Sequence, residues 1–334
     1  MILLPVDPLR PDPEALRRAA EVLRGGGLVA FPTETVYGLG AHALDPAAVE
    51  RIYTAKGRPS YNPLIVHVAD AGAARALASA WPDEAERLAG AFWPGPLTLV
   101  LPKHDSIPLS VTAGLPSVAL RVPAHPVAHA LLALAGIPVA APSANRSTGV
   151  SPTTARHVAR SLGERVDVIV DGGPCPVGIE STVLSLAGPV PTLLRPGTIS
   201  VDDLRPVIGD VALPSSATEE TAARPSPGML DRHYAPRATV RILPHAERTR
   251  TLADAAQRVN EGMRVGALLL EDAGDRRIAP VVRMPDDPAA YAARLYAALH
   301  ELDDAGCDVI LIDPPPDAPA WAGVRDRLRR AATA

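Results

Sequence analysis

Lysine is nearly missing from this chain: of its 33 basic residues only Lys56 and Lys103 are lysine. Arginine can replace lysine wherever a solvated positive charge suffices, but not where a compact ammonium must approach an anion closely, so each lysine is conspicuous and Lys56 the more so for its polar surroundings. Asparagine is as scarce, with Asn62, Asn145 and Asn260 alone, and two of the three fall in the polar segments KGRPSYNP and APSAN. Aromatic residues make up 3% and the formal net charge is -4, which argues against a broad basic face or a base-stacking platform for nucleic acid. Two cysteines, Cys175 and Cys307, supply neither a disulfide framework nor a four-ligand zinc site. The longest apolar stretch, 127 to 141, is too short for a membrane span and holds His129, Gly136 and Pro138. With no basic start and apolar core at the N-terminus, the sequence predicts a cytoplasmic protein without a membrane partner.

What is present fits a soluble α/β protein. The 334 residues are 47% hydrophobic and 21% charged, a length that suggests two domains. The 37 prolines lie singly between apolar runs and read as punctuation. Asp12-Pro13 and Asp45-Pro46 each pair an N-cap with proline at the first helical position. Apolar runs at 28–31, 64–68, 97–101, 118–122, 138–141, 167–170 and 181–186 alternate with helical segments, and PTETVYGLG at 32–40 reads as a loop. The segment from Ala212 to Pro227 has linker composition. Beyond it, strands at 239–243, 264–270, 278–283 and 308–312 with helices at 246–261 and 288–304 predict a small doubly wound unit, closed by an Arg-rich helix. The boundaries are 1–207, a linker at 208–237, and 238–334.

Several familiar chemistries lack support. Gly38, Gly40 and Ala43 satisfy the loose pattern G-x-G-x-x-A, but the strand ends six residues earlier and Lys56 and Arg58 stand where an acidic ribose ligand belongs, so no nicotinamide site is read there. No G-x-x-x-x-G-K-[ST], H-E-x-x-H or G-x-S-x-G occurs. Ser143, His67 and Asp171 supply the residue types of a hydrolytic triad and nothing more.

Three segments are suited to anions. Lys56 to Pro63 carries Lys56, Arg58, Ser60 and Asn62 without an acid; read alone, it is an exposed helix C-terminus whose cations answer the helix dipole. Ala141 to Pro152 follows a buried strand, where α/β sheets bind ligands, and alone reads as a Pro/Ser turn into the next helix. GIESTV and LLRPGT place Ser181, Thr182 and Arg195 near strand ends. His67, in the alternating run LIVHV, reads on its own as a core histidine satisfied by a neighbour.

Taken in order, PTETVYGLG, KGRPSYNPL, FWPGPLT, VALRVPAHP, AAPSANRSTGVSPT, DGG at 171–173, GIESTV, LLRPGTI and SPGMLDRHYAP resemble the long form of the threonylcarbamoyl-AMP synthases, the YrdC-like family. The resemblance covers about residues 28–236, with the unit beyond Ala238 similar to the extra C-terminal domain of the long members. It implies a YrdC-like twisted mixed sheet with helices, plus a smaller Rossmann-like α/β domain. It also implies a nucleotidyltransferase that joins L-threonine, bicarbonate or carbon dioxide, and ATP into threonylcarbamoyl-AMP and pyrophosphate. Mg²⁺ would accompany ATP, with no organic cofactor and no resident metal site. The product would pass to a tRNA threonylcarbamoyl transferase complex for modification beside the anticodon; direct tRNA contact is left open.

By the same resemblance, Lys56, Arg58, Ser143 and Asn145 form a catalytic tetrad, and Arg58, Asn62, Ser117, Ser143, Ser151, Arg195 and Tyr234 meet the nucleotide. Thr35, His67, Arg121, Ala141 and Ser181 hold threonine, with His67 as a candidate acceptor of the ammonium proton and Tyr234 on a lid. Two departures stand out: Leu230 follows SPGM where the family carries lysine, and AGVRDRLRRAA lacks a glycine-rich lead-in. The competing expectations are an RNA-binding or ribosome-maturation module without turnover, and carbamoyl transfer for metal-centre maturation, for which the chain lacks the companion domains.

Overall fold

Asp-Pro pairs set the start of three helices. In each, the aspartate side chain accepts a backbone N–H from the first turn and proline, whose missing donor costs nothing there, takes the first helical position: Asp12 for Pro13–Arg24, Asp45 for Pro46–Lys56 and Asp287 for Pro288–Asp304. The computed structural model describes residues 1–213, 233–271 and 275–333. Most of the predicted linker, with the SPGML run, Leu230, Asp231 and Arg232, lies outside the described residues. By contacts the described residues divide into two units, residues 1–147, 151–176 and 180–213 in one, and 148–150, 177–179, 233–271 and 275–333 in the other.

The first unit runs β1 (Ile2–Pro5), α1 (Pro13–Arg24), β2 (Val29–Phe31), β3 (Gly38–His42), α2 (Pro46–Lys56), β4 (Ile65–His67), α3 (Ala71–Arg75), α4 (Asp83–Phe92), β5 (Leu97–Pro102), α5 (Leu109–Thr112) and β6 (Ser117–Arg121). It continues with α6 (Pro126–Ala135), β7 (Val139–Ala140), α7 (Ala155–Leu162), β8 (Val168–Asp171), β9 (Thr182–Ser185), β10 (Thr192–Arg195) and α8 (Val201–Ile208). The strands form one mixed sheet in the order β1-β8-β2-β3-β7-β4-β6-β5-β9-β10.

One face of that sheet packs residues of α2, α4, α7 and α8 into the largest core, around Ile52, Leu88, Val158 and Leu204. The other face is covered unevenly. Helices α1 and α6 pack on its β1, β8, β2 and β7 side through Leu16, Leu23, Leu131 and Leu132. At the other end the buried cluster Ile65, Val100, Ala119, Val183 and Leu194 contains strand residues alone, so among these residues no helix closes that half of the face.

One expectation is corrected. PTETVYGLG is not a loop throughout: Gly38–His42 is a strand, antiparallel to β2 with Val29 opposite Gly40 and to β7 with Ala41 opposite Ala140. The glycines that suggested a loop serve close packing instead. A Cβ on Gly40 would lie 2.8 Å from Phe31 Cε1 and 2.9 Å from Val139 Cγ1.

The second unit contains β11 (Thr239–Ile242), α9 (Arg248–Asn260), β12 (Val265–Leu269), β13 (Val281–Arg283), α10 (Pro288–Asp304), β14 (Val309–Ile312) and α11 (Ala322–Ala332). Its sheet, β11-β14-β12-β13, is parallel throughout, which explains why GALLL and VILI are nearly all apolar: both faces of these strands are covered. Buried Asp313, just past β14, accepts from Arg248 Nε at 2.8 Å and from the Leu270 amide at 3.0 Å, tying three strand-end loops together. Among the described residues no helix is long and apolar enough to cross a membrane.

Gly40→Ala is expected to lower the unfolding free energy by about 1–3 kcal/mol, the usual cost of overpacking a rigid site. Urea denaturation would measure it; an unchanged midpoint would show that Phe31 and Val139 can yield.

Candidate active site

Strand register assembles the site. His67 pairs with Arg121 across β4 and β6, Thr98 with Val183 across β5 and β9, and Val183 with Arg195 across β9 and β10. Residues paired across strands share a face, so His67, Arg121, Thr98 and Arg195 stand beside Ile65, Ala119, Val100 and Val183 on the half whose buried cluster is made of strand residues. Arg195 reaches this face through an irregularity. Leu193 pairs with Leu184, whose side chain belongs to the opposite core, and two residues on, simple alternation would point Arg195 the same way. The bulge between them instead sets Arg195 opposite Val183 and re-aims its guanidinium.

The row is joined by hydrogen bonds. Arg195 donates through Nε to the Ser181 carbonyl and through Nη2 to Ser181 Oγ, both at 3.1 Å, and Ser181 Oγ lies 2.8 Å from Thr98 Oγ1. Because arginine only donates, Ser181 Oγ accepts there, and its own proton is the one it can offer to Thr98 or to a substrate oxygen. Arg121 donates to the Gly95 carbonyl at 3.2 Å and to Thr35 Oγ1 at 2.9 Å, and its Nη2 lies 2.7 Å from Glu34 Oε1. Thr35 Oγ1 is in turn 2.8 Å from Thr33 Oγ1.

His67 is buried, and its Nδ1 has no hydrogen-bond partner among the described residues. The reading of a core histidine satisfied by a neighbour is therefore incomplete at Nδ1. Burial first, and the Arg121 cation second, push its pKa down to about 3. A histidine so depressed is neutral at pH 7.

The second cluster is built at the end of α2. Lys56 is the last helical residue, not the first of an exposed loop, and it and Arg58 are 2% and 8% exposed, so the exposed-cap reading does not hold. Gly57, left-handed at φ 61°, ends the helix. Lys56 Nζ donates to the carbonyls of Ser143 at 2.6 Å and of Asn145, clamping the loop after β7. Burial, then Arg58, lowers the lysine pKa, while Glu180 raises it. Glu180 immediately precedes Ser181, so the two clusters meet there. Arg58 donates to the carbonyls of Asn62 at 3.1 Å and Pro63 at 2.8 Å. Asn62 is fully buried with neither amide atom hydrogen-bonded among the described residues. Ser151 Oγ lies 2.5 Å from Glu180 Oε1.

Of the remaining expected residues, Ala141 donates its amide to Ile65 at 2.9 Å beside the site face, Ser143 bridges to Gly38, and Ser117 opens β6 on the same face as Ala119 and Arg121. Tyr234 is a residue of the second unit, buried at φ 62°, with its ring 5.7 Å from that of Tyr296 and the Arg327 guanidinium 5.3 Å from it. No hydrogen bond links Ser143, His67 and Asp171, so the hydrolytic triad is not assembled. Glu34, Thr98 and Glu180 were missed; each sits inside a quoted motif, but only pairing to Arg121, Ser181 and Ser151 distinguishes it.

The depressed histidine gives an acid-stability signature. His67 binds a proton in the unfolded chain near pH 6.5 and in the folded one only near 3. Its contribution is therefore complete above about pH 6.5 and is lost as pH falls toward 3. Between pH 7 and pH 5 the wild-type protein is expected to lose about 2 kcal/mol more stability than His67→Gln. Parallel urea titrations at both pH values would measure the difference, and equal losses would show that the ring is hydrated.

Comparison with known proteins gives consistent matches. A family model described as telomere recombination (Sua5, YciO and YrdC) matches residues 21–197, and one described as the threonylcarbamoyl-AMP synthase C-terminal domain matches 199–333. The threonylcarbamoyl-AMP synthase of Bacillus subtilis is 44% identical over 331 residues, 98% of this chain and 95% of that protein. That of Pyrococcus abyssi is 44% identical over 320 residues, 95% of this chain and 93% of the relative. The crystal structure of P. abyssi Sua5 complexed with L-threonine aligns with a TM-score of 0.92 at 42% identity, covering 99% of this chain and 98% of that one.

Proposed function

The chain belongs to the threonylcarbamoyl-AMP synthase family of adenylate-forming enzymes, and from that premise we propose that it joins L-threonine, bicarbonate or carbon dioxide, and ATP into threonylcarbamoyl-AMP, releasing pyrophosphate. The product then serves threonylcarbamoyladenosine formation in tRNA, through a separate transferase. The observation that carries the reading is the gathering of Lys56, Arg58, Arg121 and Arg195, far apart in sequence, into one unit with most of their donors fixed on uncharged oxygens.

The reaction needs that arrangement. An N-carboxylate must approach the α-phosphorus of a triphosphate, so two anions are brought together and charge accumulates on the departing pyrophosphate. Positioning and fixed positive charge carry such transfers. Arg121 with Thr35 would take the threonine carboxylate through paired N–H and O–H donors. Ser181, oriented by Arg195 and Thr98, would read the substrate hydroxyl, and Ala141 and neutral His67 would complete that half. The clamped loop with Ser143 and Asn145, together with Lys56, Arg58, Asn62, Ser117, Ser151 and Arg195, would line the nucleotide half. No cluster of three or more acidic, histidine or cysteine side chains that could hold a metal occurs among the described residues. Mg²⁺ is expected to arrive on the phosphates of ATP, as is usual for this ion.

Pyrophosphate release by the full chain is expected only when ATP, threonine and bicarbonate are all present; release that persists without threonine and bicarbonate would refute the reading. Arg121→Lys, which keeps the charge but loses the fork, is expected to raise the threonine KM by about tenfold or more while leaving the ATP KM nearly unchanged.

A further inference from the structure

The Arg121–Glu34 pair has an unusual property for buried ions. Nη2 and Oε1 are 2.7 Å apart, and both side chains are more than nine-tenths buried. Yet the contact is misaligned: neither carboxylate oxygen of Glu34, nor Nη2 of Arg121, has a directed hydrogen bond to any described residue. Buried charges left without directed partners are costly, because each has given up its water. The groups that face Glu34 from the surrounding elements are Arg121 on β6, His125 before α6 and Cys175 after β8. Burial lowers the His125 pKa and raises that of the Cys175 thiol, so both are uncharged at pH 7. Among the described residues Glu34 therefore faces one cation, and the pair as a whole is neutral.

A neutral pair of opposite charges with unfilled hydrogen-bonding capacity on both members is the complement of a zwitterion. A carboxylate that takes Arg121 brings an ammonium one carbon away, and Glu34 is the anion on that side. Resting on the function proposed above, we infer that Glu34 anchors the α-ammonium of threonine and receives its proton. The ammonium nitrogen gives one proton to a Glu34 oxygen, leaving a neutral amine and a neutral carboxylic acid, and the released lone pair attacks the carbon. With bicarbonate, amine and bicarbonate give the N-carboxylate and one water, so a single proton held by Glu34 balances the step. It also explains why a carboxylate is buried beside the arginine expected to bind one. The transfer leaves the net charge of the site at zero, since the ammonium and Glu34 lose their opposite charges together.

The test uses the full chain, with L-threonine and with 2,3-dihydroxybutyrate, in which a hydroxyl replaces the ammonium. By competition calorimetry the wild type is expected to prefer threonine by about 100-fold or more, and Glu34→Gln to reduce that preference to about tenfold or less. Turnover of Glu34→Gln is expected to fall by about 100-fold or more, the usual share of a positioned base, with the residual rate climbing with pH as more threonine arrives as free amine. Full preference in Glu34→Gln, or a raised threonine KM with unchanged turnover and the wild-type pH profile, would reduce Glu34 to a prop for Arg121 and overturn the inference. Should Glu34→Gln fail to fold, Glu34→Asp decides: preference kept with slower turnover supports the anchor, and preference lost with a carboxylate still present defeats it. A wild-type chain that neither binds threonine nor needs it for pyrophosphate release would sink the function itself, a different outcome from an indifferent Glu34.

Discussion

Positive charge has to be held in place here without being cancelled. Lys56 is gripped by the carbonyls of Ser143 and Asn145, Arg58 by those of Asn62 and Pro63, and Arg195 by the carbonyl and hydroxyl of Ser181. Oxygen dipoles fix the geometry of an ammonium or guanidinium while leaving its net charge to act on an incoming anion; carboxylates in the same places would fix it equally well and neutralise it. The cost appears in Lys56, whose pKa is lowered by burial and by Arg58. It is also why so much of the irregular backbone near the site is consumed as acceptor: a loop whose carbonyls face cations cannot also pair them in a ladder.

Arg121 differs in having a carboxylate, that of Glu34, in direct contact. The difference follows from what each cation must meet. Polyphosphate brings several negative charges and no positive one, so the cations on its side gain from being anchored by neutral oxygens. An amino acid brings one of each, and its natural counterpart is a matched pair.

Much of the frame was legible in the sequence because it rests on local rules. The Asp-Pro helix starts at 12–13 and 45–46 are where capping places them, and the apolar runs became strands within a residue or two. The scarcity of lysine pointed to Lys56 correctly, although not to its burial. What was hidden depends on pairing. Gly38 and Gly40 look like loop residues until Phe31 and Val139 are known to press on them. Arg195 faces the site only because of a register irregularity against β9, which no periodicity along β10 reveals. Glu34 sits in a motif full of hydroxyls and carries no signal of its own until its partner, 87 positions later, is brought beside it.

The alternation within the strands, seen against the finished sheet, shows where function displaced packing. Among IVH, LTLVLP and SVALR, the positions on the site face run Ile65 then His67, Thr98 then Val100, and, beyond Ser117 at the strand start, Ala119 then Arg121, with His67, Thr98 and Arg121 at a common level. A sheet selected for stability alone would carry an aliphatic side chain at each of those levels, since burying Val or Leu contributes about 1.5–3 kcal/mol and burying an ionised group costs more than its partners usually return. Such cross-strand agreement has no structural motive, because polar residues at one level do not help the strands to pair. It is the arrangement to be expected where a sheet face serves as the floor of a reaction site, and it locates that floor independently of any likeness to other proteins.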